Sequence, residues 1–274
     1  MIDLHNNHQR CGHAEGDLEG VARAAQAKGV RVFGWSDHAP LFAEAEDHPR
    51  PRIQMAKSAW HDYLAEAVNV RRRLRAEFPE FDVRIGVEAD YLPGTEAHYR
   101  EELARPELDF VLGSVHEVGG WHIYDVSTWE DVTEFDEFHR GYWRNVRGAA
   151  ESGLFDVISH LDAITAKVPK ARSDMTAEMQ ATLDCIADTG MAVEINGSGV
   201  RRVGAPFPAE PLLEGLVRRG VPITFGSDAH RFDQLGMGFE AAVASLRALG
   251  RYEFVTFRQR RPVPCTLEGR PLTD

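Results

Sequence analysis

Cysteine is scarce in this chain: Cys11, Cys185 and Cys265 are scattered, odd in number and without CxxC spacing. They offer no disulfide framework and point to free thiols in a reducing cytosol. Long apolar runs are missing as well, since none approaches the ~18 residues of a membrane-crossing helix, and the first residues show no basic-then-apolar signal pattern. A soluble, cytoplasmic protein is expected. Positive charge is in deficit, with 31 Lys and Arg against 43 Asp and Glu and a formal net charge of -12. Phosphate backbones and anionic membranes demand positive surface, so neither nucleic acid nor membrane is expected as the main partner. An anionic small substrate stays open, because bound metal ions would offset clustered carboxylates. Repeats, low-complexity tracts and linkers are absent too. One domain covering residues 1–274 is therefore expected, in the size range of α/β barrels.

What the chain does have is a steady alternation of short apolar runs with longer amphipathic stretches, the pattern of βα units and a parallel sheet. The apolar runs predict strands at Ile2–His5, Arg31–Trp35, Val83–Val87, Phe110–Ser114, Val157–Ser159, Ala192–Ile195 and Ile223–Gly226. Helices are expected at Asp17–Ala27, Ser58–Phe78, Trp129–Ser152, Thr176–Asp188, Glu210–Arg219 and Phe239–Leu249, most of them stopped by a glycine.

Histidines crowd the start, where His5, His8 and His13 fall within nine residues. Neutral imidazole binds borderline divalent metals, so the cluster reads as part of a metal site whose other ligands arrive later. They do arrive. Each of the seven strands is followed at once by side chains able to bind metal: His5; Asp37 and His38; Glu88 and Asp90; His116; His160 and Asp162; Glu194 and Asn196; Asp228 and His230. In a parallel barrel all strands end on one face, so these residues converge there. Singly, Asp37 or Asp228 could cap a turn and Glu88 could pair with an arginine. Seven strand ends by chance is a much poorer explanation.

Cys11 to Gly16, Ser36-Asp37-His38, Gly86 to Asp90, Gly113 to His116, Ser159 to Asp162, Asn196 to Arg202 and Gly226 to His230 together resemble the polymerase-and-histidinol-phosphatase (PHP) family of metal-dependent phosphoesterases. The resemblance spans nearly the whole chain and is greatest to the histidinol-phosphate phosphatases of histidine biosynthesis. It implies a distorted (β/α)7 barrel with three divalent metal ions, zinc, manganese or iron, at the strand C-termini. It also implies a ligand set. His5, position 7, Glu88 and Asp228 would hold the first metal, Glu88 would bridge to a second held by His116 and His160, and His13, His38 and His230 would take the third. Glu88, Asp228 and His230 are the expected catalytic residues. Metals that share a carboxylate are able to share a hydroxide aimed at phosphorus.

One position departs from the family pattern. Where His-x-His is expected, the chain reads His5-Asn6-Asn7. Residues i and i+2 of a strand face the same side, so Asn7 should stand at the site while His8 points away unless the strand end bends. An amide oxygen is a poorer ligand than imidazole for zinc-like ions, and the first metal should bind more weakly. For substrate, Arg201 and Arg202 follow the sixth strand and are suited to clamp phosphate, unless they form a solvated surface pair; Lys167 is a further candidate. His122 lies in an aromatic loop, Glu117 to Thr128, polar enough to cover an imidazole or simply an anchored loop. His48, His61, His98 and His139 are expected on the surface or in packing. Hydrolysis of L-histidinol phosphate is the activity the resemblance implies; a PHP nuclease or nucleotide phosphoesterase, or a catalytically weak metal-binding regulatory module, are the competing readings.

Overall fold

The computed structural model describes residues 1–129 and 132–272. Its strands are β1 (Ile2–Asp3), β2 (Val32–Trp35), β3 (Asp82–Asp90), β4 (Phe110–Ser114), β5 (Glu117–Val118), β6 (Trp121–His122), β7 (Val157–Ile158), β8 (Ala192–Asn196), β9 (Ile223–Gly226), β10 (Phe254–Arg258) and β11 (Arg261–Cys265). Its helices are α1 (Leu18–Ala27), α2 (Trp60–Glu77), α3 (Glu96–Arg100), α4 (Phe135–Glu151), α5 (Thr176–Thr189), α6 (Ser198–Val203), α7 (Glu210–Arg218) and α8 (Phe239–Ala248).

Seven strands form one parallel sheet in the order β1-β2-β3-β4-β7-β8-β9. The two edges meet: Leu4 N–H donates to Phe225 O at 2.8 Å, Asp228 N–H to His5 O at 2.8 Å and Asn7 N–H to Ala229 O at 2.9 Å. The sheet therefore closes into the expected (β/α)7 barrel. β4 and β9 are buried along their whole length, as strands covered on both faces must be. Around them the helices present apolar residues at helical spacing, for example Leu18, Val21, Ala22 and Ala25 on α1 and Phe138, Tyr142, Val146 and Ala149 on α4. Asp17 caps α1 by accepting from Gly20 N–H at 2.7 Å.

Several boundaries differ from expectation. β1 is only two residues long; past it the chain bonds both neighbours irregularly, with Ser36 N–H donating to Asn6 O at 3.0 Å and Asn6 N–H to the Ser36 hydroxyl at 3.0 Å on the β2 side, and Leu4 and Asn7 bonding across the closing seam. The helix expected over Trp129–Ser152 begins at Phe135; Val126–Trp129 is a 3-10 turn, and residues 130 and 131 lie outside those described. The β10–β11 hairpin was not expected. It seals the N-terminal end of the barrel, where Arg260 N–H donates to Asp109 O at 2.8 Å and the Phe257 ring lies 6.4 Å from Phe110. Among the described residues no helix is long and apolar enough to cross a membrane.

Candidate metal centre

His5 leaves β1 pointing at the mouth of the barrel, and β8 fixes its ring. Glu194 Oε1 stands 2.8 Å from His5 Nδ1, while Glu194 Oε2 accepts from His160 N–H at 3.0 Å and Asn196 Nδ2 at 2.8 Å. A carboxylate on one ring nitrogen sets the tautomer and turns the other nitrogen outward. His5 Nε2 accordingly lies 3.2 Å from Glu88 Oε2 and 3.7 Å from Asp228 Oδ1. Gly226 makes this packing feasible, because a Cβ there would fall 1.9 Å from Glu194 Oε1 and 2.3 Å from the His5 Cβ.

Glu88, at the end of β3, sits between two groups of imidazoles. Its Oε1 is 3.0 Å from His160 Nε2 and 3.8 Å from His116 Nε2, and it accepts from the Ser114 hydroxyl. Its Oε2 faces His5 and, at 3.0 Å, His38 Nδ1. His116 is held by Asp90, whose Oδ1 is 2.6 Å from Nδ1, which leaves Nε2 turned to His160 Nε2 at 3.2 Å. Toward the rim, His13 Nε2 and His230 Nε2 are 2.8 Å apart, and His38 completes that group as well as contributing to the inner one. Asp228 holds a positive φ of 52°, a conformation that non-glycine residues adopt at a cost and that recurs at functional sites.

The donor set fits divalent metal. His5 Nε2, Glu88 Oε2 and Asn7 Oδ1 are buried without an aligned hydrogen-bond partner among the described residues. His5 Nε2 and Glu88 Oε2 are close to each other yet not aligned as donor and acceptor. Two ligands on one tetrahedral ion at ~2.0 to 2.1 Å stand ~3.3 Å apart, close to the spacings here. Electrostatics agree. Burial opposes charge on His5, but Glu194, Glu88 and Asp228 outweigh it and hold its pKa well above the usual value. Burial likewise opposes charge on Glu88 and Asp228, and the surrounding histidines, His38 and His5 for Glu88 and His5 and His230 for Asp228, keep both carboxyls well below the usual range. The site is thus built to gather positive charge at its centre.

Every proposed ligand reaches the cluster: His5, His13, His38, Glu88, His116, His160, Asp228 and His230. Asn7 does too, buried beside Asp228 with its Nδ2 donating to Oδ1 at 3.3 Å. His8 does not. Its ring stacks on Tyr63 with centroids 5.3 Å apart, and its Nδ1 lies 3.2 Å from Asp37 Oδ2. Asp37 also anchors Cys11 N–H at 3.1 Å, the capping role rather than a ligand role.

The cluster opens into a cavity of about 250 Å³. Arg202 lines it, with its guanidinium 4.3 Å above the Tyr124 ring, whose hydroxyl is buried without a partner. Arg201 turns instead to Asp228 O, at 3.1 Å, so the expected pair splits into one cavity residue and one tether. His122 stacks on His116 at 5.7 Å and 11°, and burial, then the neighbouring His116, lowers its pKa to about 4. Lys167 is exposed at the end of the 3-10 turn Ala163–Ala166 and does not line the cavity. That turn carries it outward. Tyr124, from the aromatic loop expected to cover the imidazole, lines the cavity, and so does Arg52, which sequence reading did not single out. His48 and His139 bond backbone carbonyls, of Gln54 at 2.7 Å and Pro169 at 2.9 Å, as packing residues do.

Known proteins share these features. Residues 3–198 match the family model described as PHP domain. A Deinococcus radiodurans protein named "Probable histidinol-phosphatase" is 34% identical over 96% of this chain and 99% of its own length. The histidinol-phosphatase of Bacillus subtilis is 24% identical over 87% and 97% of the two chains. A crystal structure of the Lactococcus lactis histidinol phosphate phosphatase, complexed with zinc, L-histidinol and phosphate, shares the fold with a TM-score of 0.73 at 21% identity, covering 95% of this chain and 98% of that one. A family match over most of the chain, a relative alike from end to end and a closed seven-stranded barrel agree: the chain belongs to the PHP family.

Proposed function

We propose that this chain is a metal-dependent phosphoric monoester hydrolase that converts L-histidinol phosphate to L-histidinol and phosphate, acting in the cytoplasm as one catalytic domain over residues 1–274. The observation that carries the reading is Glu88 spanning two groups of imidazoles beneath a cavity with Arg52 and Arg202 on its wall. The names of the D. radiodurans and B. subtilis relatives, and the ligands named with the L. lactis structure, support the substrate.

His5, Asn7, Glu88 and Asp228 would hold one cation, Glu88, His116 and His160 a second, and His13, His38 and His230 a third, as zinc, manganese or iron. When bound, such cations acidify a water and neutralise phosphate charge. The chain's own groups do the rest. Arg202, with its plane fixed by the Tyr124 ring, presents a fork of N–H donors to phosphate oxygens. Asp228 has one carboxylate oxygen engaged by Asn7, and its Oδ2, without a hydrogen-bond partner among the described residues, is free to accept a hydrogen bond from the attacking water and orient it. His122 and Tyr124 wall the side of the cavity where the substrate imidazole stacks.

The test compares L-histidinol phosphate, p-nitrophenyl phosphate and a dinucleotide with added Mn or Zn, alongside a metal count. L-histidinol phosphate should be turned over with the highest kcat/KM. Arg202→Ala should lower that value ~10 to 100-fold, as loss of a charged hydrogen bond does, and Arg201→Ala much less. A preference for the dinucleotide would favour a nuclease, and metal binding without turnover a regulatory module.

A further inference from the structure

The opposite end of the barrel carries a second cavity, of about 600 Å³, between α2, the first residues of β2 and β3, the β10–β11 turn and the C-terminal segment. It is built from arginine: Arg31, Arg71, Arg72, Arg75, Arg84 and Arg258 all line it, against only three carboxylates. That is a strong local surplus in a chain of net charge -12. The pairing is incomplete. Arg31 meets Glu80 at 2.5 Å and Arg71 meets Asp109 at 2.8 Å, but Arg84 and Arg258 share a single oxygen, Asp82 Oδ2, at 2.6 and 2.9 Å. Arg72 bonds only the neutral Asn69 Oδ1, at 3.1 Å, and Arg75 has no partner among the described residues.

Arg84 is the telling member. It is only 4% exposed, yet among the described residues its one counter-ion is divided with a second cation and its Nε has no hydrogen-bond partner. A buried charge is tolerated when it is fully paired, and this one is not. Water can solvate the exposed Arg72 and Arg75, but not the buried Arg84. The surplus of three positive charges faces an open volume in the size range of small-molecule sites. Guanidinium forks from α2, β3 and β10 that line one cavity suit a ligand with more than one anionic group.

We propose that this cavity is a binding site for a small polyanion carrying two to three negative charges, separate from the metal centre. The separation is large: Asp82 and Glu88 lie at opposite ends of β3, ~20 Å apart at ~3.3 Å per residue. The site and the metal centre therefore bind independently in space while sharing one strand.

The test uses the metal-loaded protein and pyranine, a fluorescent pyrene trisulfonate whose sulfonates are neither hydrolysable by a phosphatase nor good metal ligands. Fluorescence anisotropy should show saturable one-to-one binding that weakens with salt, as ion pairing requires. The double variant Arg72→Glu with Arg75→Glu should weaken it at least ~10-fold, while Arg202→Ala leaves it unchanged. Arg72→Gln with Arg75→Gln, which removes charge without reversing it, should fall between. Both double variants should keep phosphoester turnover, so that lost binding does not reflect lost fold. Absence of saturable binding, insensitivity to the double variants, or loss in Arg202→Ala would overturn the proposal.

Discussion

At the scale of single residues, Asn7 is the position expected to govern how firmly the inner metal is held. The residue is 1% exposed and lies beside Asp228, to which its Nδ2 donates, leaving only the amide Oδ1, a poorer ligand than imidazole, to face a cation. Asn7→His should raise turnover at limiting metal by more than the ~10 to 100-fold typical of changes around the ligands. Excess metal should narrow the gap if occupancy is the fault. Initial rates and metal stoichiometry across a metal titration decide this, and equal curves for the two versions would remove Asn7 from the ligand set. The strand-end histidines and carboxylates were legible because the period-2 pattern and the parallel topology dictate where strand ends go. Their supporting contacts were less so. Asp90 and Glu194 stood out as strand-end carboxylates, but only the fold pairs Asp90 with His116 and Glu194 with His5. Arg52 lies in an irregular loop, and no spacing argument reaches it.

At the scale of elements, β9 and β8 are interlocked through Gly226. A methyl group there would have to displace Glu194 Oε1 from 1.9 Å and the His5 side chain from 2.3 Å. Gly226→Ala should destabilise the fold by ~1 to 3 kcal/mol, the range for overpacking. Activity should fall further than stability alone explains, since His5 loses its orientation. Thermal unfolding beside kcat at a temperature where the variant is folded separates the two effects; a variant with wild-type melting and wild-type rate would show that this packing is soft. The elements that sequence reading did not recover share a physical reason. The β10–β11 turn is made by Gln259 and Arg260 with φ of 48° and 64°, residues that carry no turn signature. β5 and β6 are two residues each, too short for periodicity, although Gly119-Gly120 between them marks the turn. The N-terminal end of α4 is shifted because Val126 and Trp129 are spent on a 3-10 turn and Val132 on a loop before the helical spacing of Phe135, Phe138, Tyr142 and Val146 begins.

At the scale of the whole molecule, the apolar core and the metal centre are separate sources of stability. The core is one continuous cluster running from Ile2 to Cys265, built from apolar side chains that ligate nothing. Chelation should therefore abolish activity while leaving the far-ultraviolet circular dichroism at room temperature intact. The melting temperature should still fall, because metal at ~100 times its Kd contributes ~2.7 kcal/mol, worth ~5 to 10 °C in a chain of this size. Collapse of secondary structure on chelation would instead mean that the cluster is a folding core.

Closure of the ring by Leu4 on Phe225 and by Asn7 on Ala229 has a consequence for the order of events in the cell. A ribosome releases the first strand more than two hundred residues before the strand it must pair with. His5 and Asp228 cannot face each other until the seam shuts, so nascent chains expose only scattered donors and bind metal weakly. Selection of the cation is thereby postponed until synthesis of the barrel is complete, and the finished pocket, rather than the growing polypeptide, chooses which ion it keeps.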